Sequence, residues 1–176
     1  MPMREITTLP DPILRKKARK VRAFTPELHA LIDDMIETMR AAPGVGLAAP
    51  QISDSRRVIV VEFAEPSETD EDPPVRPELY VLVNPKIVRR SKELVFEEEA
   101  CLSVPGFVGE VERHAAITVK AQNRHGKPKR VKAKGWLARI LQHEIDHVDG
   151  VLYIDRASRV WRPEDVPLEE QDPAAA

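Results

Sequence analysis

Two histidines four residues apart, with a glutamate directly after the first, form the feature that most constrains this chain. In the run Gln142-His143-Glu144-Ile145-Asp146-His147, the two imidazoles lie about one helical turn apart. Both therefore point to the same side of a helix and can bind one metal ion. Glu144 can act as a base beside that ion. The pattern is typical of metal-dependent hydrolases and predicts a helix at the site.

The side chains around this motif predict that its helix is buried. At about 100° per residue, both histidines fall in one stripe with Trp136 and Ile140, and Glu144 lies beside it among apolar residues. A separate arc holds the polar residues Arg139, Gln142, Asp146 and Asp149. Two ordinary core histidines are the alternative. A buried glutamate in register with them favours a nearby cation, because an unpaired buried charge is costly.

Composition narrows the class of protein. The chain has 176 residues, a net charge of −2 and one cysteine. A single domain over residues 1–161 is expected, and an internal disulfide is excluded. Since both signs of charge are interspersed, we expect no membrane association and no direct nucleic-acid binding. No apolar run approaches the roughly 18 residues of a membrane helix, and the N-terminus lacks an apolar signal sequence, so a cytoplasmic protein is expected.

The remaining sequence predicts an α+β fold, in which mainly antiparallel strands pack around the central buried helix. A first helix is predicted over residues 26–40 with Thr25 as its N-cap, and the metal helix is predicted to start after Gly135 and end at Gly150. Strands are predicted at 58–61, 80–83, 93–96, 117–120 and 130–132, with a turn at 123–126. Residues 64–77 read as an exposed insertion, and residues 162–176 as a disordered acidic tail.

Two histidines need a third ligand, because a catalytic metal usually has three protein ligands and one open position. Two alternatives remain open on these residues alone. One is a downstream carboxylate, as in zinc peptidases: Glu164, Asp165 or Glu169. The other is Cys101, whose thiolate would complete a Cys-His-His set but which could equally be a small buried residue.

Three segments together resemble the signature motifs of the peptide deformylases. They are Gly44-Val45-Gly46-Leu47-Ala48-Ala49-Pro50-Gln51, Glu99-Ala100-Cys101-Leu102-Ser103 and the histidine motif. The resemblance implies a hydrolase that removes the formyl group from N-formylmethionine of nascent polypeptides and releases formate. It implies Cys101, His143 and His147 as ligands of one divalent metal ion. Ferrous iron is expected, and Zn²⁺, Ni²⁺ or Co²⁺ are possible substitutes.

The resemblance also implies roles for residues beyond the metal ligands. Glu144 would move the proton, while the Gln51 amide and the Leu102 backbone N–H would bind the oxyanion. Val45, Gly46 and Ala100 would bind the extended substrate, and Val45, Trp136 and Ile140 are candidates for the wall of a methionine pocket.

The chain departs from the family pattern at three places. Ala100 and Ser53 replace glycines that are frequent there, which puts substrate affinity in doubt at Ala100. The acidic C-terminal residues replace a basic helix that contacts the ribosome in some members, so we expect no docking through this tail.

Three other functions compete with the deformylase interpretation. A metallopeptidase that cleaves internal bonds would need the downstream ligand. A non-catalytic module would close its metal site with a fourth ligand, for which His114 is the candidate. A deformylase-like enzyme acting on another acyl group is the third, with Ala100 as the hint.

Overall fold

A computed structural model describes residues 3–66, 69, 73 and 75–165. Its helices are α1 (Pro26–Ala41), α2 (Gly135–Val148) and the single turn α3 (Tyr153–Arg156). Its strands are β1 (Gly46–Ala48), β2 (Val58–Phe63), β3 (Glu78–Arg90), β4 (Leu94–Cys101), β5 (Val104–His114), β6 (Ala116–Gln122), β7 (Pro128–Lys134) and β8 (Arg159–Trp161). Short 3-10 turns cover Pro12–Arg15, Ala49–Ile52 and Pro163–Asp165.

A five-stranded antiparallel sheet in the order β1-β2-β3-β6-β7 separates the two long helices. Strand β2 explains why a helix lies on each face of this sheet. Its residues 58–61 are all apolar and all fully buried. Val58 and Val60 pack with α1, whereas Ile59 and Val61 pack with α2. A strand that is apolar on both faces must be covered on both. The sheet therefore places α2 on one face and α1 on the other.

A second antiparallel sheet, in the order β4-β5-β8, packs against α2 and α3. Strands β4 and β5 form a hairpin whose turn, at Leu102 and Ser103, lies between the paired residues Cys101 and Val104. Val111 of β5 packs with Leu152 and Tyr153 in a small core of its own. Helix α2 is thus held between two sheets, as the predicted α+β architecture requires.

The predicted helices are confirmed, and the predicted strands lie within longer ones, except that the strand predicted at 93–96 begins one residue later, at Leu94. Thr25 is the N-cap of α1 and its Oγ1 accepts a hydrogen bond from the Leu28 N–H at 3.2 Å. Gly150 adopts the left-handed conformation expected after a helix end, with a φ of +76°. Strand β5 was not predicted. Its Pro105, Gly106 and alternating charges mask the apolar period of a strand.

Two predicted segments fall partly outside the described residues. In the insertion at 64–77, residues 67, 68, 70–72 and 74 lie outside, and the described ones are exposed except for Ala64, which is partly buried. In the predicted tail, residues 166–176 lie outside, whereas Pro163–Asp165 form one 3-10 turn. Across the part of the chain that is described, no helix is long and apolar enough to span a membrane.

Candidate metal centre

Helix α2 and the end of strand β4 bring three metal-ligating side chains together. The Cys101 Sγ lies 3.3 Å from the His147 Nε2, and the ligand atoms of Cys101, His143 and His147 all lie within 4.8 Å of one another. His143 and His147 lie one turn apart on α2, as predicted, with their rings edge to face. Within the described ranges no other group of metal-ligating residues converges in this way.

The other candidate ligands are not part of this cluster. Glu164 and Asp165 lie in the last 3-10 turn and do not join it, while Glu169 lies outside the described residues. The His114 Nδ1 donates instead to the Ser91 carbonyl at 2.8 Å. The described residues therefore offer three candidate ligands and no fourth. This number is typical of a catalytic site, in which one coordination position of the metal stays open for water or substrate.

A buried carboxylate, Glu99, orients the first histidine. Its Oε1 accepts a 2.8 Å hydrogen bond from the His143 Nδ1, which leaves the His143 Nε2 to face Cys101. Such carboxylate–histidine contacts fix the ring and raise its basicity towards a metal. Glu99 was not predicted from the sequence as a site residue. The alternation of side chains along a strand could have predicted its place in the site. Residues two apart on β4 share a face, and Glu99 precedes Cys101 by two.

Two arginines neutralise the Glu99 carboxylate. Arg113 donates from its Nε and Nη2 at 2.9 Å each, and Arg139 donates from its Nη1 at 2.6 Å. Burial by itself raises the pKa of a carboxyl. Hydrogen bonds from Arg113 and His143 outweigh that effect and hold the pKa of Glu99 well below its usual range.

The polar arc is buried and paired, except for Asp149, which is exposed and pairs with Arg57. Arg139, Gln142 and Asp146 are all less than a tenth exposed. Asp146 accepts from Arg113 at 2.6 Å and from Arg156 of α3 at 2.7 Å, while the Gln142 side chain bonds both backbone groups of His114. These contacts attach α2 to β5 and α3. Their partners lie far away in the sequence, so the sequence alone did not predict that these polar residues are buried.

The pKa values of the two histidines are shifted in opposite directions. Burial and the charge of His143 lower the pKa of His147, so that its imidazole is neutral and able to bind a metal. Burial would also lower the pKa of His143, but hydrogen bonds to the Cys101 sulfur and to Glu99 outweigh it and raise this pKa to about 10. A metal ion bound through the His143 Nε2 would therefore displace a proton.

Glu144 lies in the wall of the cleft beside Gly46. A Cβ on Gly46 would come within 2.7 Å of the Glu144 Oε1, so only glycine permits this approach. Burial raises the pKa of Glu144 to about 7, against the opposing charge of His143. A carboxylate with a pKa near neutrality is suited to proton transfer.

Gln51 is buried with its amide directed at Cys101. Its Oε1 accepts from the Ala48 N–H at 2.9 Å, which fixes the orientation of the amide. Its Nε2 then donates to the Ser103 Oγ at 3.1 Å and to the Cys101 Sγ at 3.6 Å. Ser53, two residues after Gln51, has a left-handed φ of +62°, a conformation that favours glycine.

A cleft of about 620 Å³ opens in front of these residues. All of the predicted site residues except His147 line this cleft, and His147 is buried. The residues that line it are Val45, Gly46, Gln51, Ala100, Cys101, Leu102, His143 and Glu144. Trp136 and Ile140 also contribute to its wall. Val45 and Trp136 are about half exposed at its surface, whereas Ile140 is buried.

The donor set fits a divalent transition metal. One thiolate and two imidazoles form a known catalytic ligand set. Of the three buried side-chain polar atoms that lack a hydrogen-bond partner among the described residues, two belong to this site, the Glu144 Oε2 and the His147 Nδ1. Unpaired buried polar atoms of this kind are rare and call for a ligand or an ordered water. A buried His-Glu-x-x-His helix with a cysteine beside both histidines and a cleft defines the class of the metal-dependent hydrolases.

Comparison with known proteins gives the family. Residues 3–162 match the polypeptide deformylase family, and the chain belongs to it. The chain is therefore an enzyme that removes the N-terminal formyl group from nascent peptides, in a family that depends on a metal ion.

Relatives of high similarity support this assignment. Peptide deformylase from Desulforudis audaxviator is 48% identical over 158 residues, which cover 90% of this chain and 96% of the relative. The Rhizobium meliloti enzyme is 46% identical, over 92% of this chain and 89% of its own. The crystal structure of the Legionella pneumophila enzyme has a TM-score of 0.79 and 45% identity, covering 89% of this chain and 87% of that one.

Substituting Glu99→Gln should destabilise the protein strongly. The change leaves Arg113 and Arg139 buried without a full counter-charge, which typically costs about 3–5 kcal/mol. Asp33→Asn is the matched control, because it breaks the pair with Arg124, which is about one-third exposed, and should cost about 1 kcal/mol or less. Urea unfolding of both variants after removal of metal measures the difference. Equal losses would show that the buried charges do not stabilise the fold.

Proposed function

We propose that Cys101, His143 and His147 hold the catalytic metal ion of this deformylase and that Glu144 is its proton carrier. The observation that supports this most directly is the convergence of three ligand atoms within 4.8 Å at a cleft that Glu144 also lines. A divalent ion held there would polarise the formyl carbonyl and lower the pKa of coordinated water towards about 7. Glu144 would take the proton of the attacking water and pass it to the leaving amine.

We further propose that Gln51 and Leu102 stabilise the oxyanion that develops on the formyl oxygen. The Ala48 N–H holds the Gln51 amide so that its Nε2 faces the Cys101 side of the site. Leu102 lies at the hairpin turn directly after Cys101, and its backbone N–H is the second donor that we propose. Donors fixed before the reaction need no reorganisation, and losing one typically costs about 10²–10³ in rate.

The substrate would bind in an extended conformation along β1. This strand lies at the edge of its sheet, and Val45 and Gly46 line the cleft beside it. A peptide can add to such an edge through backbone hydrogen bonds. Ala100 also lines this cleft, and it would contact the same peptide. The apolar wall at Val45, Trp136 and Ile140 suits a methionine side chain.

Ferrous iron is the metal that we propose for the enzyme in the cell. Zinc, nickel or cobalt should also bind, because the ligand set suits all of these ions. We place the enzyme in the cytoplasm, where its nascent substrates are made. Docking to the ribosome through the acidic C-terminal residues is not expected, because RNA would repel them.

Formate release tests the proposed function directly. Protein purified without oxygen and loaded with Fe²⁺ should release formate from a short N-formylmethionyl peptide. The variant Glu144→Gln should retain the metal but lose about 10²–10⁴ in turnover, since the proton carrier is gone. Metal-loaded protein that releases no formate would refute the substrate, and an active Glu144→Gln variant would refute the role of Glu144.

Substituting Gly46→Ala should impair catalysis through Glu144. The added Cβ would overlap the Glu144 carboxylate at 2.7 Å, and the carboxylate must shift. We expect turnover to fall by about 100-fold while the metal content stays at one ion per chain. Gly44→Ala is the control, because its Cβ would meet no atom closer than the Leu102 Cδ1 at 3.3 Å, the end of a flexible side chain. Equal losses in both variants would argue against this mechanism.

Exposure to air should inactivate the iron-loaded enzyme but not the nickel-loaded enzyme. Ferrous iron beside a thiolate is open to oxidation, and Cys101 can itself be oxidised. Activity followed over time in air, with mass spectrometry of the Cys101 peptide, measures both routes. Iron-loaded enzyme that stays fully active in air would contradict the proposed sensitivity.

A further inference from the structure

The outer face of strands β6 and β7 carries only positive charges. Side chains that point to the α2 side of these strands belong to the main apolar core, except for Lys129, which pairs with Ala121 and lies over the Tyr80 ring. The alternate positions point away from α2, and their charged members are Lys120, Arg130, Lys132 and Lys134. Lys86 and Arg89 of β3 pair with Lys120 and Thr118 on the same face. We refer to these six exposed cations as the basic sheet face.

The register places like charges directly opposite one another. Lys86 pairs with Lys120 and Lys120 pairs with Arg130, so that three cations cross three neighbouring strands in one row. The next row holds Arg89, Thr118 and Lys132. Neighbouring strands are only about 4.8 Å apart, and like charges directly opposite are destabilising. The fold retains an arrangement that costs stability.

These cations have no acidic partners within the described part of the chain. Several other exposed or partly exposed arginines do have such a partner, as Arg40 has Glu62 and Arg57 has Asp149. Exposed glutamates lie instead on the outer face of β4 and β5, where Glu98 stands opposite Glu110. A net charge of −2 therefore conceals a separation of charge between two faces.

We propose that the basic sheet face docks the enzyme on the phosphate backbone of structured RNA. A flat array of unpaired Lys and Arg is complementary to a polyanion, because each contact releases counterions from the phosphates. RNA also suits the activity, since nascent chains leave an RNA-rich particle. This proposal goes beyond the deformylase activity and departs from our expectation of no nucleic-acid binding, which rested on overall charge.

The other side chains on this face favour RNA backbone over an anionic membrane. The uncharged outward residues of β6 and β7 are Ala116, Thr118, Gln122 and Pro128. None of them is the aromatic or large aliphatic anchor that enters a bilayer. None is an aromatic platform for unstacked bases either, so contact with the duplex backbone is favoured.

The basic sheet face lies on the side of the five-stranded sheet opposite α2 and the cleft. The residues that pack against α2 occupy the alternate positions of the same strands, such as Val119 and Val131. RNA bound to the outer face would therefore leave the cleft open to a peptide. The position suits a tether that keeps the active site accessible.

Fluorescence anisotropy with a labelled 20-base-pair RNA duplex tests the proposal on the metal-loaded, full-length enzyme. Wild type should bind with a logarithmic salt slope of about −3 to −5, the value expected for a few phosphate contacts. The triple variant K120E/R130E/K132E should lose at least about tenfold in affinity and most of that slope. The milder K120A/R130A/K132A should lie between the two.

The control variant K16E/K17E/R76E makes the same change in net charge elsewhere on the exposed surface. It should keep the wild-type affinity within about twofold, and all variants should release formate from a short peptide at the wild-type rate. No binding of wild type to RNA would overturn the proposal, as would equal losses in the control. Tighter binding to vesicles with one-third anionic phospholipid than to RNA would assign the face to a membrane instead.

Discussion

The burial of the Glu99 carboxylate is the constraint on which the rest of the site depends. A carboxylate removed from water needs cations, and Arg113 of β5 and Arg139 of α2 supply them. The three elements that carry these residues are thereby fixed against one another. The remaining hydrogen-bonding capacity of Glu99 orients His143, and the same face of β4 delivers Cys101 two residues later. One buried charge thus sets both the packing of α2 and the orientation of the His143 ring, a proposed metal ligand.

The five-stranded sheet supports the site from the other side. Strand β2 is apolar on both faces, which obliges the chain to cover it with α1 and α2. Its neighbour β1 contributes Gly46, whose missing side chain lets Glu144 approach. The 3-10 turn that follows β1 carries Gln51 towards Cys101. Residues far apart in sequence reach one cleft because the two sheets pack against opposite faces of α2.

The sequence predicted local features well and distant pairings poorly. Helical periodicity and capping residues predicted both long helices, because those signals lie within a few residues of one another. The convergence of Cys101 on the histidines followed from a family resemblance, not from spacing. The burial of Arg139 and Asp146 on α2 was missed. Their partners Glu99 and Arg113 lie on strands that are distant in the sequence. The charge separation was missed for the same reason, since only the strand register reveals which cations are neighbours.

The most direct test of the proposed metal centre is X-ray absorption spectroscopy of the zinc-loaded protein. We expect one sulfur at about 2.3 Å, two imidazole nitrogens at about 2.0–2.1 Å and one further light-atom scatterer, the water in the fourth position. The sulfur should disappear in Cys101→Ser. A wild-type spectrum with only nitrogen and oxygen scatterers would show that Cys101 is not a ligand, and the proposed centre would be wrong.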